Sequence, residues 1–337
     1  RTQMDGFAKY LGRRLFQFFL VIFLGVSLAF LITNLSPVDP VEQSVALMTN
    51  FGATDPRSVE LMRQALQELY GLQGTLLDQY LAFWGRVIRG DFGPSLSAFP
   101  TPVMSLIMSA LPWTIGLLTL SLVITWTLGN LLGALAGYYR SNLLLKLSGA
   151  AVMALHPVPA YIIGLCLLLA FGFIWPILPI SGGAQMNLRP GLTLDYLRSL
   201  IVHGTLPALT LVLVGLGSWF ISMRSLVSNI VTDDHVVYAE LGGVSSNKIF
   251  SQYVARNALL PQLTGLALSL GNVFGGAVIT EFLFNYPGVG RLMIQGIYRG
   301  DYALVLGVTT ISIIAVAVAV FIIDLIYPLI DPRVRLS

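Results

Sequence analysis

The sequence predicts an all-α integral membrane protein with six transmembrane helices, and two observations support that fold class. First, 55% of its 337 residues are hydrophobic and only 10% are charged, whereas a soluble globular domain carries about 25% charged residues. Second, six stretches reach the roughly 20 mainly apolar residues that a helix needs to cross a membrane. These stretches cover residues 15–35, 113–138, 147–173, 206–226, 263–282 and 304–326.

The first of these stretches follows Arg13 and Arg14 and superficially looks like a secretory signal. Its apolar run is longer than that of a signal peptide, no small-residue cleavage site follows it, and further spans come after it. We therefore interpret residues 1–35 as a cytoplasmic N-terminus with a retained first span.

The distribution of basic residues predicts the orientation of the spans. An even number of spans places both termini on one side, and short cytoplasmic loops carry the excess of Lys and Arg. On the side of the termini, the short loops and flanks hold Arg1, Lys9, Arg13, Arg14, Arg140, Lys146, Arg224, Lys248, Arg256, Arg333 and Arg335. On the opposite side, they hold Arg189, Arg198, Arg291 and Arg299. Both termini are therefore predicted to be cytoplasmic.

Residues 36–112 form a long outer connection with more acidic than basic side chains. Asp55 followed by Pro56 predicts the start of a helix, and Gly71 predicts its end. Apolar residues at helical spacing predict two amphipathic helices over the outer face, with stripes at Val59, Met62, Leu66 and Leu69 and at Leu77, Tyr80, Leu81, Trp84, Val87 and Ile88. Such helices would either dock an external partner or merely shield the bundle, and the pattern leaves both interpretations open.

The five-span core, residues 113–337, contains glycines four residues apart, a spacing that lets helix backbones approach closely. They are Gly129, Gly133 and Gly137 in the second span and Gly271 and Gly275 in the fifth. Their spacing is compatible with a tight bundle or a subunit interface, and equally with ordinary helix crowding.

Between the fourth and fifth spans, loop 230–261 is half polar. Thr232 or Asp233 predicts the cap of a short helix that ends at Gly242, and Ser245 predicts the cap of a second helix. Pro261 is expected to prevent this second helix from continuing into the next span without a bend. The second helix has one apolar face, formed by Ile249, Phe250, Tyr253, Val254 and Ala258. Such an element lies on lipid or inserts into a partner's groove, and spacing alone favours lipid.

Several polar segments carry a family resemblance. In loop 230–261 they are Asp234, Tyr238-Ala239-Glu240, Gly243 and Asn257-Ala258-Leu259-Leu260-Pro261. This pattern resembles the cytoplasmic EAA loop of ABC-importer permeases, whose coupling helix docks on the ATPase. Residues 281–290 and Asp331-Pro332-Arg333 resemble the dipeptide/oligopeptide/nickel permease family, to which residues 35–40 and 90–93 are also similar.

The resemblance, which covers nearly the whole chain, implies the type I ABC importer permease fold. It implies a permease subunit of an ATP-driven importer, which forms the translocation path for peptides or a similar small solute. The implied partners are a second homologous permease, two ABC ATPase subunits, an external solute-binding protein and membrane lipid, in a bacterial or archaeal cytoplasmic membrane. Peptides are the first candidate solute, and the family also moves nickel chelates, opines and oligosaccharides.

The same resemblance assigns roles to individual residues. ATPase coupling is expected at Asp234, Tyr238, Ala239, Glu240, Gly243, Asn257 and Pro261. An outer gate or receptor contact is expected at Glu281, Phe284, Pro287, Gly288 and Gly290, where the proline and the glycines are expected to fix a turn that a helix does not make.

Cofactor chemistry is expected on other polypeptides. The chain has no Gly-Lys dipeptide and therefore lacks a Walker-type phosphate loop, so ATP and Mg are expected on the partner ATPase subunits. We expect no enzyme activity, metal or cofactor in this chain. Cys166 is the single cysteine, which excludes an internal disulfide framework. Nucleic acid is not expected, because the Lys and Arg residues are scattered instead of forming a basic stripe.

An ion-coupled secondary transporter is the alternative function. Such carriers use ionisable groups inside the membrane, but here the span interiors offer His156 and little else, since Glu281 and Asp324 fall near span ends. His156 precedes two prolines and is expected to satisfy backbone groups that they free. An intramembrane hydrolase fits less well, because neither His203 nor His235 is spaced with a Ser and an Asp as a catalytic set.

Overall fold

The computed structural model describes residues 2–35, 45, 56–70, 74–271, 273 and 277–330. Within these residues the regular structure is helical and contains no strand, so the all-α prediction is confirmed. The helices are α1 (Thr2–Asn34), α2 (Pro56–Tyr70), α3 (Leu76–Arg89), α4 (Val103–Tyr138), α5 (Leu143–Leu155), α6 (Ala160–Leu168), π1 (Leu169–Ile174), α7 (Leu194–Ile230), α8 (Asp234–Leu241), α9 (Ser246–Lys248), π2 (Ile249–Ala255), α10 (Arg256–Gly271), α11 (Val278–Leu283), α12 (Val289–Tyr298) and α13 (Tyr302–Ile330).

Four helical segments are long and apolar enough to cross a membrane. They are Tyr10–Asn34 within α1, the whole of α4, the whole of α7, and Tyr302–Ile326 within α13. They contain the second, fourth and sixth predicted spans and all of the first except residue 35, so these four spans are confirmed as long apolar helices.

The third predicted span, 147–173, is wrong as one straight helix. Helix α5 ends at Leu155, α6 begins at Ala160, and the two are bent by 107° as a broken span or a re-entrant loop. Pro157 and Pro159 lie in the break, and proline lacks the N–H that a continuous helix needs. The expected backbone contact of His156 is also wrong, because its ring makes no hydrogen bond within the described residues.

The fifth predicted span, 263–282, is divided between α10 and α11. Each is too short on its own to qualify as a span, with 16 and 6 residues respectively, and part of the stretch between them lies outside the described residues. Other sequence predictions also lie outside the described residues. They concern residues 36–40, Asp55, Gly71, Gly275, Asp331-Pro332-Arg333 and the terminal Arg1 and Arg335.

The described residues form two compact units. The first contains those within 1–114 and 287–321, and the second contains those within 115–286 and from 322 onward, so that α4 and α13 contribute to both. The sequence-based division into residues 1–35, 36–112 and 113–337 follows membrane topology and stays a prediction.

In the first unit, α3 packs along α1. The ring of Phe83 stacks on Phe30 at 5.1 Å, and the Tyr80 and Ser27 hydroxyls lie 2.6 Å apart. The predicted amphipathic helices are present as α2 and α3, but the six-residue stripe assigned to α3 is too wide. Its members Leu77, Leu81 and Ile88 are exposed, because only one flank of the helix meets α1.

In the second unit, α7 packs against α5, α6, α10 and α11, and the glycines of α4 meet it on a further side. A Cβ atom on Gly129 would lie 2.6 Å from the Trp219 Cβ, and one on Gly133 would lie 2.6 Å from the Phe220 carbonyl oxygen. A Cβ on Gly137 would lie 2.9 Å from a Val227 methyl. The glycine spacing therefore marks a tight contact between two helices of the same chain.

This contact predicts a specific sensitivity in α4. Replacing Gly133 with Ala should lower the free energy of unfolding by about 1–3 kcal/mol, because the new methyl group overpacks a close contact with backbone atoms. Gly116 offers a matched control in the same helix, since a Cβ there meets nothing within 4 Å. The thermal midpoints of the purified variants in detergent check this, and equal midpoints for Gly133→Ala and Gly116→Ala would contradict it.

Candidate functional site

Helix α8 opens the half-polar loop 230–261. It has 8 residues, and Asp233 occupies the predicted N-cap position with extended backbone angles (φ −71°, ψ 147°), although its side chain makes no capping hydrogen bond. Val236 and Ala239 are buried, whereas Tyr238 is 73% exposed and Leu241 is 79% exposed. One face of the helix therefore packs against the rest of the protein, and another face exposes apolar side chains, including the Tyr238 ring.

The turn after α8 depends on Gly243. The Gly243 N–H donates to the Glu240 carbonyl at 3.0 Å and the Val244 N–H donates to the Ala239 carbonyl at 3.1 Å, which is the Schellman pattern of a helix C-terminus. Gly243 has φ +74°, whereas Gly242 has an ordinary φ of −75°. Of the two glycines, Gly243 is the one whose conformation disfavours a side chain.

The second helix of the loop differs from the prediction. Ser245 occupies its N-cap position in extended geometry, without a capping hydrogen bond from its side chain. The elements α9, π2 and α10 then follow without a break, and Pro261 lies inside α10. The helix is therefore assigned continuously through Pro261, and the predicted bend at this residue stays a prediction. Proline leaves the carbonyl four residues earlier without its helical donor, and membrane helices tolerate this where local π-type turns adjust the backbone. Here π2 provides seven residues of such geometry.

The apolar face of the second helix is not free for lipid. Ile249, Val254 and Ala258 are fully buried in one cluster, together with Val236 of α8 and Val227 of α7. The interpretation that spacing alone favoured, lipid contact through this face, is therefore wrong for these three residues. The exposed large apolar side chains of the loop are Val237, Tyr238 and Leu241 on α8 and Leu260 on α10.

Two tyrosines at the end of α4 hold the start of the second helix, and the sequence analysis missed both. The Tyr138 hydroxyl lies 3.0 Å from the Ser246 hydroxyl and donates to the Ser246 carbonyl at 3.1 Å. The Tyr139 hydroxyl donates to the Asn247 side chain at 3.3 Å, and both rings contact Phe250. An aromatic pair at the end of an apolar run was the signal available in the sequence.

The residues predicted for ATPase coupling therefore lie in different environments. Asp234, Tyr238, Glu240 and Gly243 are exposed on α8 and its turn, while Ala239 is buried. Asn257 donates to the Tyr253 carbonyl at 2.7 Å and lies 3.5 Å from a His235 ring nitrogen, which links the second helix to α8. Pro261 is exposed further along α10.

The 281–290 element begins in the second unit. Glu281 is 0% exposed and Phe284 is also buried, and the Phe284 carbonyl accepts a hydrogen bond from the Gly182 N–H at 3.0 Å. Asn285 has φ +47°, a left-handed conformation that Asn tolerates better than most side chains. The Tyr286 N–H then donates to the Glu281 carbonyl at 2.8 Å.

The remainder of the 281–290 element belongs to the first unit and contains Pro287, Gly288 and Gly290. Gly288 has φ −90° and ψ 175°, which is extended backbone that any residue adopts. The Val289 N–H donates to the buried Thr114 hydroxyl at 2.8 Å, and Gly290 is buried at the start of α12. Pro287 and Gly288 lie in a non-helical stretch between α11 and α12, and the left-handed residue of the element is Asn285. The role of the proline and the glycines in fixing this turn stays a prediction.

A buried carboxylate in the first unit orders another segment, which the sequence analysis also missed. Asp301 is fully buried and caps α13 by accepting a hydrogen bond from the Leu304 N–H at 3.0 Å. It also accepts hydrogen bonds from the Ser97 N–H and hydroxyl, each at 2.9 Å, and from the Ser95 hydroxyl. Several donors offset the cost of burying this group. An Asp directly before a long apolar run was the available signal.

Burial also changes acid–base properties in the 281–290 element. Burial, followed by the nearby charge of Glu281 and by Tyr196, raises the pKa of the Tyr286 hydroxyl to about 12. The Tyr286 ring therefore stays neutral to higher pH in the folded protein than in the unfolded chain.

Comparison with known proteins shows the family. Residues 129–336 match the family model described as binding-protein-dependent transport system inner membrane component. The chain belongs to this family. It is 29% identical to the oligopeptide transport system permease protein AppB of Bacillus subtilis over 97% of this chain and 99% of AppB. It is 30% identical to the di/tripeptide transport system permease protein DppB of Pseudomonas aeruginosa over 97% of this chain and 98% of DppB.

Membership establishes the general role of the chain. It is a permease, an inner membrane component of a binding-protein-dependent transport system, and has the type I ABC permease fold predicted from sequence. It is a transport subunit and not itself an enzyme, and such a system includes an ATPase and a binding protein. The individual coupling and gate residues stay predictions.

The raised pKa of Tyr286 gives a testable pH dependence. The contribution of the Tyr286 hydroxyl to the free energy of unfolding is fully present below pH 10, the usual Tyr pKa, and is lost as the pH rises towards about 12. Replacing Tyr286 with Phe should remove this part of the alkaline destabilisation, about 1–2 kcal/mol after allowance for partial exposure.

Thermal midpoints of the purified permease between pH 8 and pH 11 (chosen as roughly the window of Tyr ionisation) measure the effect. The exposed Tyr161 gives the matched Tyr161→Phe control, which should keep the alkaline loss. The same loss in Tyr286→Phe as in the unaltered permease would contradict the assignment.

Proposed function

We propose that this permease is one subunit of an ATP-driven importer that moves peptides or a similar small solute, delivered by an external binding protein. Support for the solute class comes from relatives similar over nearly their full length, which are named as oligopeptide, dipeptide and di/tripeptide permeases. Nickel chelates, opines and oligosaccharides are the other classes to test. Binding assays on the partner solute-binding protein distinguish these solutes.

The observation that carries the ATPase coupling is the two-faced helix α8. Its inner face packs into the buried cluster with π2 and α7, while Val237, Tyr238 and Leu241 are exposed large hydrophobic side chains at neighbouring helical positions. A helix that presents apolar anchors fits a groove on a partner protein, and Tyr is enriched among residues that dominate binding energy. Asp234 and Glu240 are exposed beside these anchors and favour a basic rim on the ATPase.

The energy source belongs to the partner in this proposal. ATP and Mg bind to two separate ATPase subunits, because this chain has no Gly-Lys dipeptide for a phosphate loop. Closure of the ATPase pair moves the docked α8 and rocks the helices between outward-open and inward-open states, as a rigid-body switch. A second homologous permease completes the path. Both termini face the cytoplasm of a bacterium or archaeon, in line with the basic residues of the short loops.

Ion coupling is the competing mechanism, and the fully buried Glu281 is the observation in its favour. Uptake of the solute by cells is expected to survive an uncoupler when cellular ATP is held constant, with less than a twofold change in rate, because ATP hydrolysis alone drives the conformational switch. Radiolabelled solute uptake measures this. Loss of uptake in proportion to the proton or sodium gradient would instead support the ion-coupled carrier.

Gly243 tests the coupling assignment directly. A Val at φ +74° is strained, whereas the space around Gly243 is open, with nothing within 4 Å of a Cβ. A left-handed conformation costs an ordinary residue about 1–2 kcal/mol, so Gly243→Val should displace α8, reduce ATPase co-purification and lower uptake about tenfold. The membrane level of the permease should hold, because the turn lies outside the long apolar helices.

The matched variant is Gly243→Asn, since Asn tolerates the left-handed region and adds a side chain of similar size. It should retain most of the ATPase and of the uptake. If Gly243→Val retains the ATPase in full and transports normally, the coupling role of this loop is wrong.

A further inference from the structure

A groove lined by both polar and apolar residues lies between α7 and α10 in the second unit. Its volume is about 500 Å³, and its lining includes Trp219, Ser222, Ser225 and Gln262. This volume falls in the range of about 300–1,000 Å³ that is usual for sites that bind small molecules. No charged side chain contributes to its lining within the described residues, so an occupant would be recognised by hydrogen bonds and apolar contact.

Gln262 is the most constrained polar group of the groove. Only 3% of the residue is exposed, and its side-chain nitrogen donates to the Ser222 hydroxyl at 2.8 Å. The Trp126 indole N–H donates to the Gln262 backbone carbonyl at 3.0 Å, which fixes this turn of α10 against α4. The side-chain oxygen of Gln262 accepts no hydrogen bond from any described residue. This oxygen is not one of the fully buried polar atoms that lack a partner in the described part of the chain, so it is open to the groove and is an acceptor available to a ligand.

The wall on α7 adds hydroxyl groups. Ser222 and Ser225 line the groove, lie three positions apart and are both exposed, which places them on one face of a largely apolar helix. The Ser225 hydroxyl has no hydrogen-bond partner among the described residues. Polar side chains in membrane helices usually face a cavity or other protein groups and not lipid, and a serine hydroxyl both donates and accepts hydrogen bonds.

We propose that this groove contacts the transported solute, and that the solute class it fits is the backbone of a short peptide. The Gln262 oxygen accepts a hydrogen bond from a peptide N–H, the Ser225 hydroxyl donates to a peptide carbonyl, and the Trp219 ring gives an apolar wall for a side chain. This inference rests on the proposed function. Contacts to backbone amides alone accept many peptide sequences, which leaves selectivity to the binding protein.

The position of the groove favours a moving solute over a permanent protein partner. Gln262 directly follows Pro261, the last residue of loop 230–261, and the serines lie in the α7 turns that lead into α8. A shift of α8 therefore reaches both walls of the groove through short stretches of helix. The ATPase cycle can thereby make and break the contacts with the solute.

The experiment uses the complete transporter, with its ATPases and binding protein, in liposomes, and radiolabelled tri-alanine as the probe. Gln262→Leu removes the amide at similar volume, and Ser225→Ala removes the hydroxyl. Each should lower tri-alanine uptake about threefold to tenfold, as expected for the loss of a hydrogen bond. ATPase co-purification should not change. Ser218→Ala is the matched control, because Ser218 is exposed on the same helix but does not line the groove, and its uptake should be normal.

A photoreactive benzoylphenylalanine at position 225 gives a second measurement that does not depend on the Gln262 variant folding. It should cross-link to labelled tri-alanine in the receptor-loaded complex. Cross-links only to another protein subunit would overturn the proposal, as would normal uptake by both Gln262→Leu and Ser225→Ala in a preparation whose unaltered transporter is active. If the unaltered transporter moves no tri-alanine, the proposal that this permease transports peptides is contradicted, and so is the proposal that the groove contacts a peptide.

Discussion

The close approach of α4 to α7 is the contact on which the second unit depends. Gly129, Gly133 and Gly137 bring the α4 backbone against α7, and this distance sets where the end of α4 lies. Tyr138 and Tyr139 can then reach Ser246 and Asn247, and Trp126 can reach the Gln262 carbonyl. The three glycines of α4 thus position both the start of the second loop helix and one wall of the groove.

Local features of the fold were predictable because short-range chemistry determines them. The N-cap at Asp233, the end of α8 at Gly242 and the left-handed Gly243 all follow from residues within a few positions of each other. The long apolar helices were predictable for the same reason, since each satisfies its own backbone hydrogen bonds in lipid.

Features that depend on distant residues were not predictable. The face formed by Ile249, Val254 and Ala258 has the spacing of a lipid-contacting helix, and only its packing on Val227 and Val236 shows its use. Asp301 bonds to Ser95 and Ser97, more than 200 positions earlier, and no local pattern indicates that pairing.

The short length of α8 has a mechanical consequence. A helix of 8 residues is not stable by itself in water, so its shape is maintained by Val236 and Ala239, which are buried against the rest of the unit. If the packing around these two buried residues were loose, a force on the exposed side chains would unwind α8. The cluster around them is closely packed, and closely packed protein interiors transmit strain. Helix α8 therefore moves as a rigid element, and its displacement is transmitted to π2 and α10.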